Sequence, residues 1–187
     1  MATAEGVREE AMPAPLRPTR AAAAAAVALA VAAAVFARSG PSLWSAVAAT
    51  AAGVLVWVAA IDLETRLLPN RIVLPTTAIV LAASLVLGLD GFAEHTLAAL
   101  AAGGFLYVAA VVRPGDLGWG DVKLALLLGA LLGRSVATAV AIGLALVLVP
   151  AIVLVARHGR AGLRRHVPLG PFLAAGAVVM LLVHGAA

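Results

Sequence analysis

Gly118-Trp119-Gly120-Asp121-Val122-Lys123-Leu124-Ala125-Leu126-Leu127-Leu128-Gly129-Ala130-Leu131-Leu132-Gly133 is the stretch on which the reading of the chain turns. Its apolar run, 122–133, has 12 residues, whereas a helix needs about 17 or more to cross a bilayer. To complete a crossing the helix must start near Leu117. That start draws Gly118, Gly120 and Asp121 into the membrane region, with Asp121 about one turn below the surface. An ionisable group at that depth costs several kcal/mol unless something compensates it, so it points to function. Gly118 and Gly120 lack side chains and allow another backbone or a substrate strand to approach the carboxylate. The plainer alternative is that Asp121 is an N-cap after a Gly-rich turn. It is the weaker alternative, because Asp116 is already placed for capping. Lys123, two residues on, does not share a face with Asp121 and is expected to snorkel to the interface.

The rest of the chain supplies the membrane context. Of 187 residues, 64% are hydrophobic and only 12% charged, too little charge to cover a soluble domain of this size. Apolar stretches of 16 to 22 residues fall at 21–36, 43–61, 74–89, 95–112, 117–133, 135–156 and 168–183. They are separated by Ser39-Gly40-Pro41, Pro69-Asn70, Asp90-Gly91, Pro114-Gly115 and Pro168, residues that interrupt helices. The expectation is an all-α, polytopic transmembrane bundle of about seven spans in a lipid bilayer. Residues 1–20, with Pro13, Pro15 and Pro18, read as a polar disordered tail, and 21–187 as the membrane domain. Removal of 21–36 as a signal peptide would leave six spans, but Glu5, Glu9 and Glu10 in the preceding tail argue against it. Gly129 and Gly133 form a GxxxG pair that reads as a helix-packing face.

Charge distribution orients these spans. With the N-terminus cytoplasmic, that side receives Arg8, Arg17, Arg20, Arg66, Arg71, Arg113, Lys123, Arg157, Arg160, Arg164 and Arg165. The other side receives Arg38 and Arg134. Eleven against two is a strong positive-inside bias, and it accounts for the net charge of +4 without a nucleic-acid partner. The chain has no cysteine, which excludes disulfides, thiolate zinc sites and cysteine nucleophiles within it. His95, His158, His166 and His184 show no ligand spacing and read as interfacial side chains. No metal site is expected.

Few acids remain to be weighed. Asp90 and Glu94 fall in an outer loop and read as solvated. Asp62 follows the apolar run 43–61, and with no breaker before Pro69 the helix can continue almost two turns past it. Taken alone, Asp62 would pass as an interfacial residue paired with Arg66 at i+4. Topology adds to this: Asp62 ends the second span and Asp121 begins the fifth, so both fall on the cytoplasmic side and can meet. Two carboxylates sharing a low-dielectric site do not both ionise readily. The ionised one can activate a water, and the protonated one can polarise a peptide carbonyl. A small transporter or proton relay also uses intramembrane carboxylates. It would favour acids near mid-membrane and internal repeats, and no repeat is found.

These residues resemble a known pattern. Gly118-Trp119-Gly120-Asp121-Val122-Lys123-Leu124 resembles the GxGDxKL motif of type IV prepilin peptidases. Asp62 with Leu68-Pro69-Asn70 resembles their first catalytic Asp and the Pro-Asn/Asp after it. Pro168-Leu169-Gly170-Pro171-Phe172-Leu173-Ala174 resembles their PxGPFLA segment. The three matches, in the family's order, span roughly residues 55–176. The resemblance implies an intramembrane aspartic endopeptidase that removes a short basic leader from prepilin-like substrates at the cytoplasmic face. It implies Asp62 and Asp121 as the catalytic pair. Gly118, Gly120, Lys123, Pro69, Asn70 and Pro171 are implied as motif or structural residues. Longer family members carry a segment with paired CxxC motifs linked to N-methylation. This chain resembles the short, peptidase-only form of Tad/Flp-type systems, so neither methyltransferase activity nor an S-adenosylmethionine cofactor is expected.

Overall fold

The computed structural model describes residues 16–65, 67–112, 118–158 and 168–186. Among them are seven α-helices and no strand: α1 (Pro18–Ser39), α2 (Leu43–Thr65), α3 (Asn70–Ser84), α4 (Gly88–Val112), α5 (Trp119–Leu132), α6 (Val136–His158) and α7 (Gly170–His184). Each matches one apolar stretch of the sequence. The ends follow local chemistry. Pro18 opens α1 where its missing N–H costs nothing. Gly40 closes α1 at φ +79, a left-handed angle suited to glycine. Ser42 then caps α2, its Oγ accepting from the Ser45 N–H at 3.0 Å. Residues 18–20 of the expected tail are helical, its residues 1–15 lie outside the described residues, and so do Arg66, Asp116 and residues 159–167.

By length and composition, four helical stretches can cross a membrane: Pro18–Ser39, Leu43–Thr65, Asn70–Val112 and Trp119–Leu154. The last two each contain a 3-10 turn, Leu85–Leu87 and Gly133–Ser135. The expected seven spans are not reached on this criterion, because α3, α5 and α7 have only 15, 14 and 15 residues. At 1.5 Å per residue these are roughly 21–23 Å long, against a hydrocarbon core of about 30 Å.

Helix α5 is the packing centre. Nine of its 14 residues are buried, and the run Leu127–Leu132 is buried without a break. A helix apolar on all sides is buried in a core or in lipid; here other helices enclose it, since α3, α4, α6 and α7 all pack against it. Gly129 allows the closest approach: a Cβ there would collide with the backbone of Ala98 and Ala99 in α4. Gly133 plays a different part from the packing role expected of it. It adopts φ +52 and ends the helix.

The freed carbonyls and amides at this end are taken up by α4. The buried His95 donates from Nδ1 to the Ala130 carbonyl at 2.8 Å and sets its ring edge-on to Trp44, centroids 4.8 Å apart. Glu94 accepts from the Arg134 backbone N–H and pairs with its guanidinium at 2.7 Å. Neither is the interfacial or merely solvated residue that the sequence suggests. Enclosing a helix means capping it with whatever the neighbour presents. Gly129→Ala is expected to destabilise the protein by about 1–3 kcal/mol. Gly104→Ala, where nothing lies within 4 Å of the added carbon, is expected to stabilise it by about 0.5–1 kcal/mol, as for alanine over glycine inside a helix. Thermal unfolding in detergent compares the two.

Candidate active site

Four chain segments converge at the end of the bundle opposite His95. The last turn of α2 carries Asp62, the first turn of α5 carries Asp121, and α3 and α7 both begin there. α2 and α5 share α3 and α7 as packing partners, so the carboxylates approach each other between the starts of those two helices. Asp62 is buried, with 5% of its surface exposed, and lies within electrostatic reach of the half-buried Asp121. The sequence-derived pair is thus brought together from positions far apart in the chain.

The surroundings differ from expectation in instructive ways. α5 starts at Trp119, with Gly118 as its N-cap and no side-chain cap. Asp121 is therefore at the third helical position rather than at the cap. Its N–H donates to the Gly118 carbonyl at 3.1 Å, and its carboxylate folds back over Gly118. The two motif glycines separate in role. A Cβ on Gly120 would stand 2.8 Å from the Leu68 side chain, whereas one on Gly118 meets only ordinary contacts, Asp121 Oδ2 nearest at 3.6 Å. Gly120 is needed so that the α2–α3 corner can close over α5. A side chain at Gly118 would meet the Asp121 carboxylate at ordinary contact distance.

The same corner explains the Leu68-Pro69-Asn70 motif. Leu68 covers Gly120, and the buried Pro69 caps α3 and accepts from the N–H groups of Ile72 and Val73 at 3.0 and 3.1 Å. Asn70 Oδ1 accepts from Lys123 Nζ at 3.0 Å. Lys123 is half-buried and tied to α3 instead of reaching away to the interface. α2 ends at Thr65, about one turn past Asp62, and the Arg66 expected as partner to Asp62 lies outside the described residues. Glu64 turns away from the pair and meets Arg20 of α1 at 3.0 Å.

Sequence reasoning does not single out Gly170, the residue of α7 nearest Asp62. A Cβ there would fall 2.6 Å from Asp62 Oδ2 and 3.6 Å from Leu124. The available signal is a glycine at the first helical position, immediately before Pro171, with no turn that requires it. Pro171 occupies the second position, where proline suits a helix start.

The fold and site therefore define a class: an all-helical bundle, apolar enough for a membrane, with two carboxylates from separate helices within electrostatic reach of each other at one end. The chain belongs to the type IV leader peptidase family, whose match covers residues 49–159. It is also 34% identical over 155 residues to the prepilin leader peptidase/N-methyltransferase of Bacillus subtilis (strain 168). That alignment takes in 80% of this chain and 60% of the relative, so the chain spans well under two thirds of the relative's length. No solved structure matches the chain.

Two outcomes follow from the geometry. In Gly170→Ala the easiest adjustment is rotation of the Asp62 side chain. Thermal stability is expected to hold while any activity that uses Asp62 falls about a hundredfold, the loss typical of a misplaced reacting group. Asn70→Ala and Lys123→Met are each expected to cost about 1–3 kcal/mol, as for a hydrogen bond to a charged group. The double variant should cost little more than the worse single one, because the two share one bond; unfolding of the four proteins measures this.

Proposed function

We propose that the chain is an aspartic endopeptidase of the membrane that removes the short basic leader from type IV pilin-like precursors. In this reading Asp62 and Asp121 are the catalytic pair, and they work at the cytoplasmic face. The observation that carries the proposal is that these two carboxylates, both inside the family match, come within electrostatic reach at one end of an apolar bundle. The relative's name supplies the substrate class, and the excess of Arg and Lys on the loops of the Asp end supports its cytoplasmic placement.

The chemistry follows from sharing one proton between two acids. The ionised carboxylate takes a proton from a water, which attacks the scissile carbonyl carbon. The protonated carboxyl donates to the carbonyl oxygen as it becomes tetrahedral. Collapse of that intermediate breaks the C–N bond, and the proton gained from water passes to the leaving amine. Both acids are needed, and their titration belongs to the pair. A water must reach them for this chemistry to run. A proton relay would want its acids near the middle of their helices. Here both acids lie in a terminal turn, which favours the peptidase. The proposal is confined to the peptidase activity.

Co-expression with a prepilin precursor tests the pair. Asp62→Asn and Asp121→Asn should each reduce leader removal by about 10²–10⁴-fold, as for loss of a general acid or base, with the protein still folded in the membrane. Normal processing by either variant would sink the two-carboxylate mechanism.

A further inference from the structure

Helices α4 and α5 run antiparallel in a register that contacts fix along their length. His95 meets Ala130, Gly129 meets Ala98 and Ala99, Gly103 meets Leu126, and Tyr107 meets Trp119. The last contact joins the chain's single tyrosine to the most exposed of its three tryptophans. The ring centroids are 5.8 Å apart, and the two residues are 50% and 43% exposed. Trp119 opens α5 and stands two residues before Asp121. Rings with an apolar body and a polar edge gather where acyl chains give way to headgroups.

A second polar marker lies at the other end of the same two helices. Glu94 and Arg134 pair there, with the Arg134 side chain 88% exposed, and charged groups so exposed avoid hydrocarbon. Between the two markers α4 exposes Leu97, Leu100 and Phe105. Along α4 from Glu94 to Tyr107, and along α5 from Trp119 to Arg134, the strip is roughly 20–23 Å high at about 1.5 Å per residue. The hydrocarbon core of a bilayer is about 30 Å thick, and a shorter apolar stretch is met by thinning the bilayer beside it. Beyond Tyr107 α4 runs on to Val112, roughly 8 Å, about the depth of one headgroup layer. Were the polar boundary at Val112 instead, the start of α5 would lie in hydrocarbon. That start has no side-chain cap, and the amides of an uncapped first turn look to water or headgroup oxygens.

We propose that the bilayer is thinned along the α4–α5 face, and that Tyr107 and Trp119 hold the headgroup boundary of its phospholipids at the start of α5. The proposal rests on the peptidase reading and adds the depth at which the carboxylates work. The lipid ester and headgroup layer takes hydrogen bonds from the tyrosine hydroxyl and the indole N–H, while acyl chains pack against the rings. Water then meets the first turn of α5, and Asp121 with it, at the membrane surface instead of within the hydrocarbon. Tyr107 and Trp119 are positioning residues: they act on the reaction through the level of the membrane.

Tryptophan fluorescence tests the anchor without any substrate. The full chain and its Trp119→Phe variant are placed in phosphatidylcholine vesicles whose acyl chains carry bromine at a shallow or a deep position. The difference between the two proteins isolates Trp119, and the shallow bromine should quench it more; stronger quenching by the deep bromine overturns the anchor. Cleavage of a prepilin precursor is then followed in vesicles of increasing acyl-chain length. The wild type should slow about tenfold from the thinnest bilayer to the thickest, as mismatch grows with each added ångström. In Tyr107→Leu the loss should set in at a shorter chain length, and Tyr107→Trp should restore the wild-type profile. A residue that only supports the fold would lower cleavage alike at every thickness, so identical profiles for the wild type and Tyr107→Leu overturn the role of the pair. A precursor left uncut in every bilayer, with Trp119 quenched from the shallow position, upholds the anchor and overturns the peptidase reading.

Discussion

Enclosure of α5 is the constraint from which the remaining architecture follows. A 14-residue helix buried along Leu127–Leu132 cannot lie at the edge of a bundle without leaving its tightest packing surface uncovered. It is also too short to cap itself with polar residues beyond the apolar zone. Its neighbours must both surround it and answer for its ends. At one end the answer is His95, Glu94 and the left-handed Gly133. Burying these polar groups is tolerable because each has a partner. At the other end the helix begins bare at Gly118, and the first polar side chain of its interior-facing turn is Asp121.

The carboxylate end shows how small residues convert packing into chemistry. Gly120 lets Leu68 lie flat on α5, and Gly170 lets the start of α7 rest against Asp62. A side chain at Gly120 would press on Leu68, and one at Gly170 would push the Asp62 carboxylate aside. The Lys123–Asn70 bond works in the same direction, fastening the start of α3 to α5. The GxGD and Pro-Asn elements are therefore two halves of one closure. That gives a physical reason for residues so far apart in sequence to occur together.

The opposite fastening of α1 gives the molecule an asymmetry. Anchored at the far end through Arg38 and Ser39, α1 is free to part from α7 beside the carboxylates. A bundle tied at both ends would present a closed wall there. In lipid there is no hydrophobic force to close such a gap, since acyl chains are as apolar as the walls. The Arg20–Glu64 pair at this end joins α1 to α2 and not to α7.

Much of this was legible in the sequence. Apolar runs, breakers and charge bias are one-dimensional signals, so the seven helices and the shared side of Asp62 and Asp121 could be read residue by residue. The GxGD context marked Asp121 through an expected full crossing from Leu117, whereas the helix starts at Trp119 and has 14 residues. Three-dimensional neighbours leave no such trace. Nothing in the sequence says that Lys123 meets Asn70, that His95 meets Ala130, or that Gly133 turns while Gly129 packs. The shortness of α3 also escaped, because the turn at Leu85–Leu87 falls within one apolar run, 74–89. Sequence alone determined that this is a helical membrane bundle with two acids worth weighing. Tertiary structure alone decided which glycines admit which neighbours and where the bundle opens, because side-chain contacts depend on distances that composition and spacing do not encode.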